Sequence, residues 1–190
     1  RLVNSTNNTI RNNDYVATVS NVFASLNGIT IRQSSNNTIF NNNITGGTGA
    51  SSSYGVYIDT SSTYNNISKN NITRVTTGIV IESSSYNILY NNIIYVSGGE
   101  ATSPIGILFS SSASHNDLRY NNITLMGASS SSGLAFADSN NNTLIGVNTL
   151  VNGTTSYALR IGVIGFGGNA NFTIKDSILN STDTSDIFIA

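Results

Sequence analysis

Apolar residues in this chain recur in two short patterns that alternate along its length. The first, Ile-x-x-Asn-x-Ile, is whole at Ile39, Asn42 and Ile44 and again at Ile67, Asn70 and Ile72. It is whole once more at Ile88, Asn91 and Ile93, and variants read Ile10, Asn13 and Tyr15 before these and Leu118, Asn121 and Ile123 after them. Leu144, Val147 and Thr149, and finally Thr173, Asp176 and Ile178, close the series with the middle amide replaced. The second pattern, Gly-apolar-x-apolar, follows each copy at Gly28-Ile29-Thr30-Ile31, Gly55-Val56-Tyr57-Ile58, Gly78-Ile79-Val80-Ile81, Gly106-Ile107-Leu108-Phe109 and Gly133-Leu134-Ala135-Phe136. Its last copies are Ala158-Leu159-Arg160-Ile161 and Asp186-Ile187-Phe188-Ile189.

Copies of the first pattern lie 21 to 30 residues apart. Alternating apolar residues at such a period predict a solenoid of strands. No repeat can bury its apolar face alone, so stacked neighbours must supply the core. The expectation is an all-β, right-handed parallel β-helix of about seven turns, two strands to a repeat, in one domain over residues 1–190. Each Ile then lies above the Ile one turn earlier, at about 4.8 Å. Asn13, Asn42, Asn70, Asn91 and Asn121 form one inward column, an asparagine ladder in which each amide donates to the next. An amide left unpaired there costs about 1–3 kcal/mol, so the column must be nearly continuous. Val147 ends it, and a looser sixth turn is expected there.

Between the apolar residues of the second pattern runs a column that should face outward: Thr30, Tyr57, Val80, Leu108, Ala135, Arg160 and Phe188. So many apolar residues on an outer face need a cover. The long loops after Ile44 and Ile93 are expected to supply it, with a neighbouring subunit as the alternative.

The Asn-Thr-Ile-x-x-Asn-x-Ile and Gly-Ile-x-Ile cadence resembles the parallel β-helix repeats of the pectin-lyase-like superfamily. Within it the chain is most similar to the asparagine-rich, nitrous-oxide-reductase-accessory-like surface and periplasmic proteins. The resemblance implies the fold over nearly the whole chain and leaves function open, because the scaffold carries lyases, hydrolases, adhesins and inert rods. Pectate lyases of this superfamily use calcium-binding Asp residues with an Arg or Lys base, and its polygalacturonases carry Asn-Thr-Asp, Asp-Asp and Gly-His-Gly. None of these segments is present, and Asn148-Thr149 is followed by Leu150.

Charged residues make up 9% of the chain and the formal net charge is −1. Without clustered Lys and Arg, neither nucleic acid nor an anionic membrane surface is an expected partner. The chain has no Cys, so disulfides and thiolate metal sites are excluded. No apolar run is long enough for a membrane span. Asn-x-Ser/Thr sequons at Asn4, Asn7, Asn36, Asn43, Asn66, Asn71, Asn122, Asn141, Asn152, Asn171 and Asn180 predict an N-glycosylated exterior. Asn43, Asn71 and Asn122 share one outward slot beside the ladder.

Catalytic candidates are few. His115, with Asp117 nearby, reads as a solvated turn residue. Arg32, Asp59 and Glu82 follow the second pattern on successive turns; Arg32 should offset Asp59 while Glu82 points to water. Gly165, Gly167 and Gly168 mark a bulged loop and no phosphate cradle. Tyr90 and Tyr120, two residues beyond Ile88 and Leu118, fall in one column as a candidate sugar platform. Leu2 and Val3 at one end lie in the column of Ile187, Phe188 and Ile189 at the other, so these are the candidate assembly ends of a head-to-tail homopolymer. The functional expectation is a non-enzymatic, glycosylated, extracellular or cell-surface structural protein that forms filaments and needs no cofactor. The alternative is a polysaccharide-binding module or a carbohydrate-active β-helix enzyme fragment.

Overall fold

The computed structural model describes residues 1–17, 25–47, 52–97, 103–126, 129–162, 171–182 and 185–189. Among them the regular elements are strands, and every pairing is parallel between successive coils. They stack into three sheets: sheet A has eight strands, and sheets B and C have seven each. The coil that starts at Ile88 shows the order: Ile88–Tyr90 in sheet B, Ile93–Ser97 in sheet C, then Ile105–Ser110 in sheet A. From the first strand of sheet B to the last the chain rises through about six turns, slightly fewer than the repeat count suggested.

Each coil therefore has three strands, where the sequence suggested two. The Ile-x-x-Asn-x-Ile unit bends in its middle, because the residue before the inward asparagine is left-handed. Asn12, Asn41, Lys69, Asn91 and Tyr120 have φ of 57°, 54°, 55°, 53° and 55°. One such residue turns the chain by a corner, and Asn tolerates that backbone better than most residues. The two isoleucines flanking it then face the same interior from different sheets. Ile39, Ile67, Leu89, Leu118 and Leu144 stack in sheet B; Ile44, Ile72, Ile94 and Ile123 stack in sheet C. All are essentially inaccessible to solvent.

In two repeats the register departs from the sequence reading by one residue. Leu89, and not Ile88, pairs with Ile67, so Asn92 enters the ladder and Asn91 is the exposed corner residue. Ile88 and Ile93 point outward, 43% and 52% exposed. In the last repeat Ile174 pairs with Leu144 and Leu179 with Thr149. Ser177 then takes the ladder position, and its Oγ accepts the Val147 N–H at 3.1 Å. Asp176 is the corner residue, with φ 51°. Runs such as Ile88-Leu89 and Ile93-Ile94 offer apolar side chains in both phases, so local alternation cannot choose between them.

The observed ladder is Asn13, Asn42, Asn70, Asn92 and Asn121. Each Oδ1 accepts both the backbone N–H and the Nδ2 of the asparagine one turn earlier, at 2.9–3.1 Å. A second ladder, unforeseen from the sequence, runs along the corner between sheets A and B through Asn8, Asn37, Asn65, Asn87, Asn116 and Asn142, with the same paired bonds. At the end of sheet A a serine column repeats the device: Ser5, Ser34 and Ser62 each give a backbone N–H to the Oγ of the next serine. Past Asn142 the devices thin out. Val147 is buried in the ladder column and the Thr149 hydroxyl is buried without a partner, yet the strands keep their register.

The glycine of the second pattern has a packing cause. A Cβ on Gly78 would lie 2.4 Å from Ile94 Cγ2 and 2.5 Å from the Gly106 carbonyl, and the glycines above and below it meet the same obstacles. The isoleucine of sheet C fills the space that a side chain on sheet A would take.

Two stability measurements check this account. Replacing Asn70 by Leu removes the acceptor of two Asn42 donors and the donor to Ile39, Ser68 and Asn92. It should cost about 3 kcal/mol in urea unfolding. Asn91→Gly, at an exposed left-handed corner, should stay within about 0.5 kcal/mol of the parent, whereas Asn92→Leu should match Asn70→Leu. Equal effects at positions 91 and 92 would show the register to be wrong. Gly78→Ala should lower stability by about 2 kcal/mol through overpacking, read by the same method.

Candidate functional site

The outward column of sheet A is the floor of a groove. Tyr57, Val80, Leu108, Ala135 and Arg160 lie in register on successive strands. Val80 and Ala135 are buried, and Tyr57, Leu108 and Arg160 are half-buried. Ser103 and Ser130 stand on the rim, and the cavity measures about 440 Å³. The segments after Ile44 and Ile93 that were expected to cover this column fall partly outside the described residues, as do Gly165, Gly167 and Gly168. A concave, largely apolar hollow with a few polar groups converging on it is the usual form of a ligand site.

Its polar groups sit at the two ends. At one end Tyr57 donates its hydroxyl to Glu82 Oε2 at 2.5 Å, and the Tyr54 ring lies 5.4 Å from the Tyr57 ring. Burial, then the hydrogen bond and charge of Glu82, push the Tyr57 phenol well above its ordinary value; Asp59 adds to this and Arg32 opposes it. Beside this pair Arg32 grips buried Asp59 through Nε and Nη2, at 2.6–3.1 Å. Arg32 therefore offsets Asp59 as expected, but Glu82 holds Tyr57 instead of facing only water.

Arg160 occupies the other end. Its guanidinium lies 5.9 Å from the Tyr157 ring centroid and 5.8 Å from that of Phe188. Its Nε is buried with no hydrogen-bond partner, and among the described residues no carboxylate pairs with it. A buried donor without an acceptor costs about 1–3 kcal/mol, so a ligand in the groove would meet the guanidinium through its terminal nitrogens and not through Nε. Nothing in the sequence pattern marked Arg160 out. An arginine among outward apolar residues of the Gly-apolar-x-apolar column was the one signal available.

The other sequence candidates are scattered. His115 is exposed, with its ring stacked on Tyr86 at 4.9 Å, while Asp117 pairs with Arg119 at 2.7 Å. Tyr90 pairs across the sheet with Arg119 and not with Tyr120, which is a corner residue, so the two tyrosines do not share a column. The one-residue shift of that repeat separates them. Their rings still meet edge to face at 5.8 Å, and both are exposed. Of the sequon asparagines, Asn141 is half-buried and the other ten are exposed. Leu2 pairs with Ile31, Val3 with Arg32, and Ile187, Phe188 and Ile189 pair with Leu159, Arg160 and Ile161, all in sheet A. Among the described residues no group of three or more His, Cys, Asp or Glu side chains could hold a metal ion.

Stacked strands in three sheets, inward asparagine ladders and a groove on the widest sheet define a parallel β-helix protein. The chain belongs to the right-handed β-helix family, whose right-handed β-helix region it matches over residues 1–179. No curated protein sequence matches it significantly. Among solved structures it is similar to a periplasmic alginate epimerase crystallised as a point mutant, with a TM-score of 0.58 and 15% identity. That likeness covers 90% of this chain and 47% of the epimerase, so the chain spans about half the length of that enzyme. At this identity the likeness speaks for the fold alone.

The Tyr57 environment has a measurable consequence. Its folded pKa is raised above the unfolded value of 10.0, so the stability it contributes is full below about pH 10 and is lost as pH rises further. In an alkaline absorbance titration, Tyr57→Phe should delete a phenol that ionises only well above the ordinary tyrosine range. Glu82→Gln should bring Tyr57 ionisation to lower pH.

Proposed function

We propose that this chain is a polysaccharide-binding β-helix segment of an envelope or cell-surface protein, and that the sheet A groove takes an acidic saccharide. The observation that carries this reading is Arg160, a half-buried cation that lines the groove and has no carboxylate partner among the described residues. A sugar carboxylate is the acceptor that matches a guanidinium, bidentately where space allows. Tyr54 and Tyr57 supply ring surface and hydroxyls at the opposite end, where amphipathic rings suit a sugar. The similar solved structure is a periplasmic enzyme acting on alginate, which agrees with an envelope location and a carbohydrate ligand. A phenol held protonated by burial and by Glu82 donates hydrogen bonds and does not serve as a base at neutral pH, which suits a hydrogen-bonding role toward a sugar.

Calorimetric titration with a tetrauronate is the test. The parent should bind, more weakly as salt rises, and Arg160→Gln should bind about tenfold less tightly. Incubated ligand should return unchanged in length and stereochemistry by mass spectrometry and NMR. Failure of all acidic tetrasaccharides to bind at millimolar concentration would end the proposal, and an altered ligand would replace binding with catalysis.

Head-to-tail stacking into a filament is a second reading. It is favoured by the pairing of Leu2 with Ile31 and of Ile161 with Ile189 in one sheet, which puts both terminal strands of the described structure in a single column. In a longer chain the same edges would continue into further turns. Negative-stain microscopy separates the two, fibres supporting assembly and short single rods opposing it. Glycans on the exposed sequons suit either reading, and intact mass of the protein secreted from a glycosylating host reports them.

A further inference from the structure

The corner between sheets B and C lies on the side of the coil away from sheet A and carries a second set of groups that the groove does not use. Two columns run along it. The left-handed corner residues Asn12, Asn41, Lys69, Asn91 and Tyr120 form one. The outward residues Asp14, Asn43, Asn71 and Ile93 form the other, in register on sheet C. Over the first three rungs the two columns enclose a polar cleft of about 310 Å³.

The amides in this cleft are only half used. Asn41 donates to Asn12 Oδ1 at 2.9 Å, and Asn71 donates to Asn43 Oδ1 at 3.0 Å. Those bonds leave the Nδ2 of Asn12 and Asn43 as donors and the Oδ1 of Asn41 and Asn71 as acceptors, all at the surface. Lys69 stands over the Phe40 ring at 5.5 Å, and Asp14 balances its charge along the cleft. Farther along the corner the chemistry turns aromatic. Tyr120 is 55% exposed and Tyr90 is 39% exposed, with their rings at right angles 5.8 Å apart. Tyr120 lies against Gly146, where a Cβ would come within 2.6 Å of the ring, so the glycine leaves the room that the ring occupies.

We infer that this corner is a second saccharide-binding track, for a neutral polysaccharide chain laid parallel to the coil axis. Paired donors and acceptors with no net charge match the hydroxyls of an uncharged sugar, and an exposed ring offers the flat apolar face that a pyranose needs. From Asn12 to Tyr120 the corner column spans four rises of about 4.8 Å, or about 19 Å, enough for several sugar rings end to end. The rigid coil holds every group in place beforehand, so little ordering is required on binding. This inference does not rest on the groove reading, because it uses different residues on a different face, and it requires Asn43 and Asn71 to be free of N-glycans.

Cellotetraose and tetra-N-acetylchitotetraose are suitable probes, followed by backbone amide NMR on the full chain. One of them should shift the amides of residues 12–14, 41–43, 69–71 and 120. Tyr120→Ala should weaken that binding about tenfold, and Arg160→Gln should leave it unchanged. Asn71→Ala, read beside it, should weaken binding as well and serves if Tyr120→Ala does not fold. The inference is overturned if neither probe moves these amides at millimolar concentration. It is equally overturned if the shifts fall on sheet A and vanish in Arg160→Gln.

Discussion

A backbone N–H that turns a corner inside a solenoid has no strand partner, and the whole coil depends on giving it one. Here an inward asparagine lends its Oδ1 to the N–H of the asparagine one turn before, and at the same time to that residue's Nδ2. Each amide is thus both acceptor and donor in a chain of bonds that runs the length of the corner. In the low dielectric of the core such bonds strengthen each other, and one missing member exposes the neighbours on both sides. The left-handed residue just before each asparagine makes the turn possible, and the asparagine makes it affordable in a buried corner.

The corners allow the sheets to be short and the core to be built from one or two inward side chains per strand. Ile39 and Ile44 reach the same interior from two sheets because Asn41 and Asn42 bend the chain between them. The glycine of sheet A completes the section by leaving room for the sheet C isoleucine. Shape at the centre therefore prescribes the uninterrupted outer face of sheet A that floors the groove, where Tyr57, Val80, Leu108, Ala135 and Arg160 follow one another. A face of that form is a rigid platform, and its ligand chemistry is set by the few residues that differ from rung to rung.

Those differences are confined to the outside. Inward columns repeat Ile, Leu, Asn and Ser, while outward columns pass from amides at Asn12 and Asn41 to rings at Tyr90 and Tyr120 within a few turns. Because an outward substitution disturbs neither ladder nor core, a β-helix can carry separate recognition surfaces on separate faces. An anionic ligand on sheet A and a neutral chain on the opposite corner would bridge two polymers through one stiff rod, and avidity would then follow from geometry and not from either affinity alone.

The alternation of Ile, Asn and Gly was enough by itself to determine a parallel β-helix, one of its two inward asparagine columns except for the rung at Asn92, and the strand that places Leu2 below Ile31. Those features repeat turn after turn, so noise in one copy is corrected by the others. What the sequence also held, unread, was a second amide: Asn8, Asn37, Asn65, Asn87 and Asn116 each stand five residues before a ladder asparagine. That pair would have set Leu89 and Asn92 in phase, where Ile88 and Asn91 offer the same apolar and amide types one step off. The tertiary structure enforces that same phase, because a coil has one interior and the neighbouring turns admit one register. It alone brought Tyr57, Glu82 and Arg160 to one groove. They come from strands far apart in sequence, and only stacking makes outward residues on separate turns into neighbours.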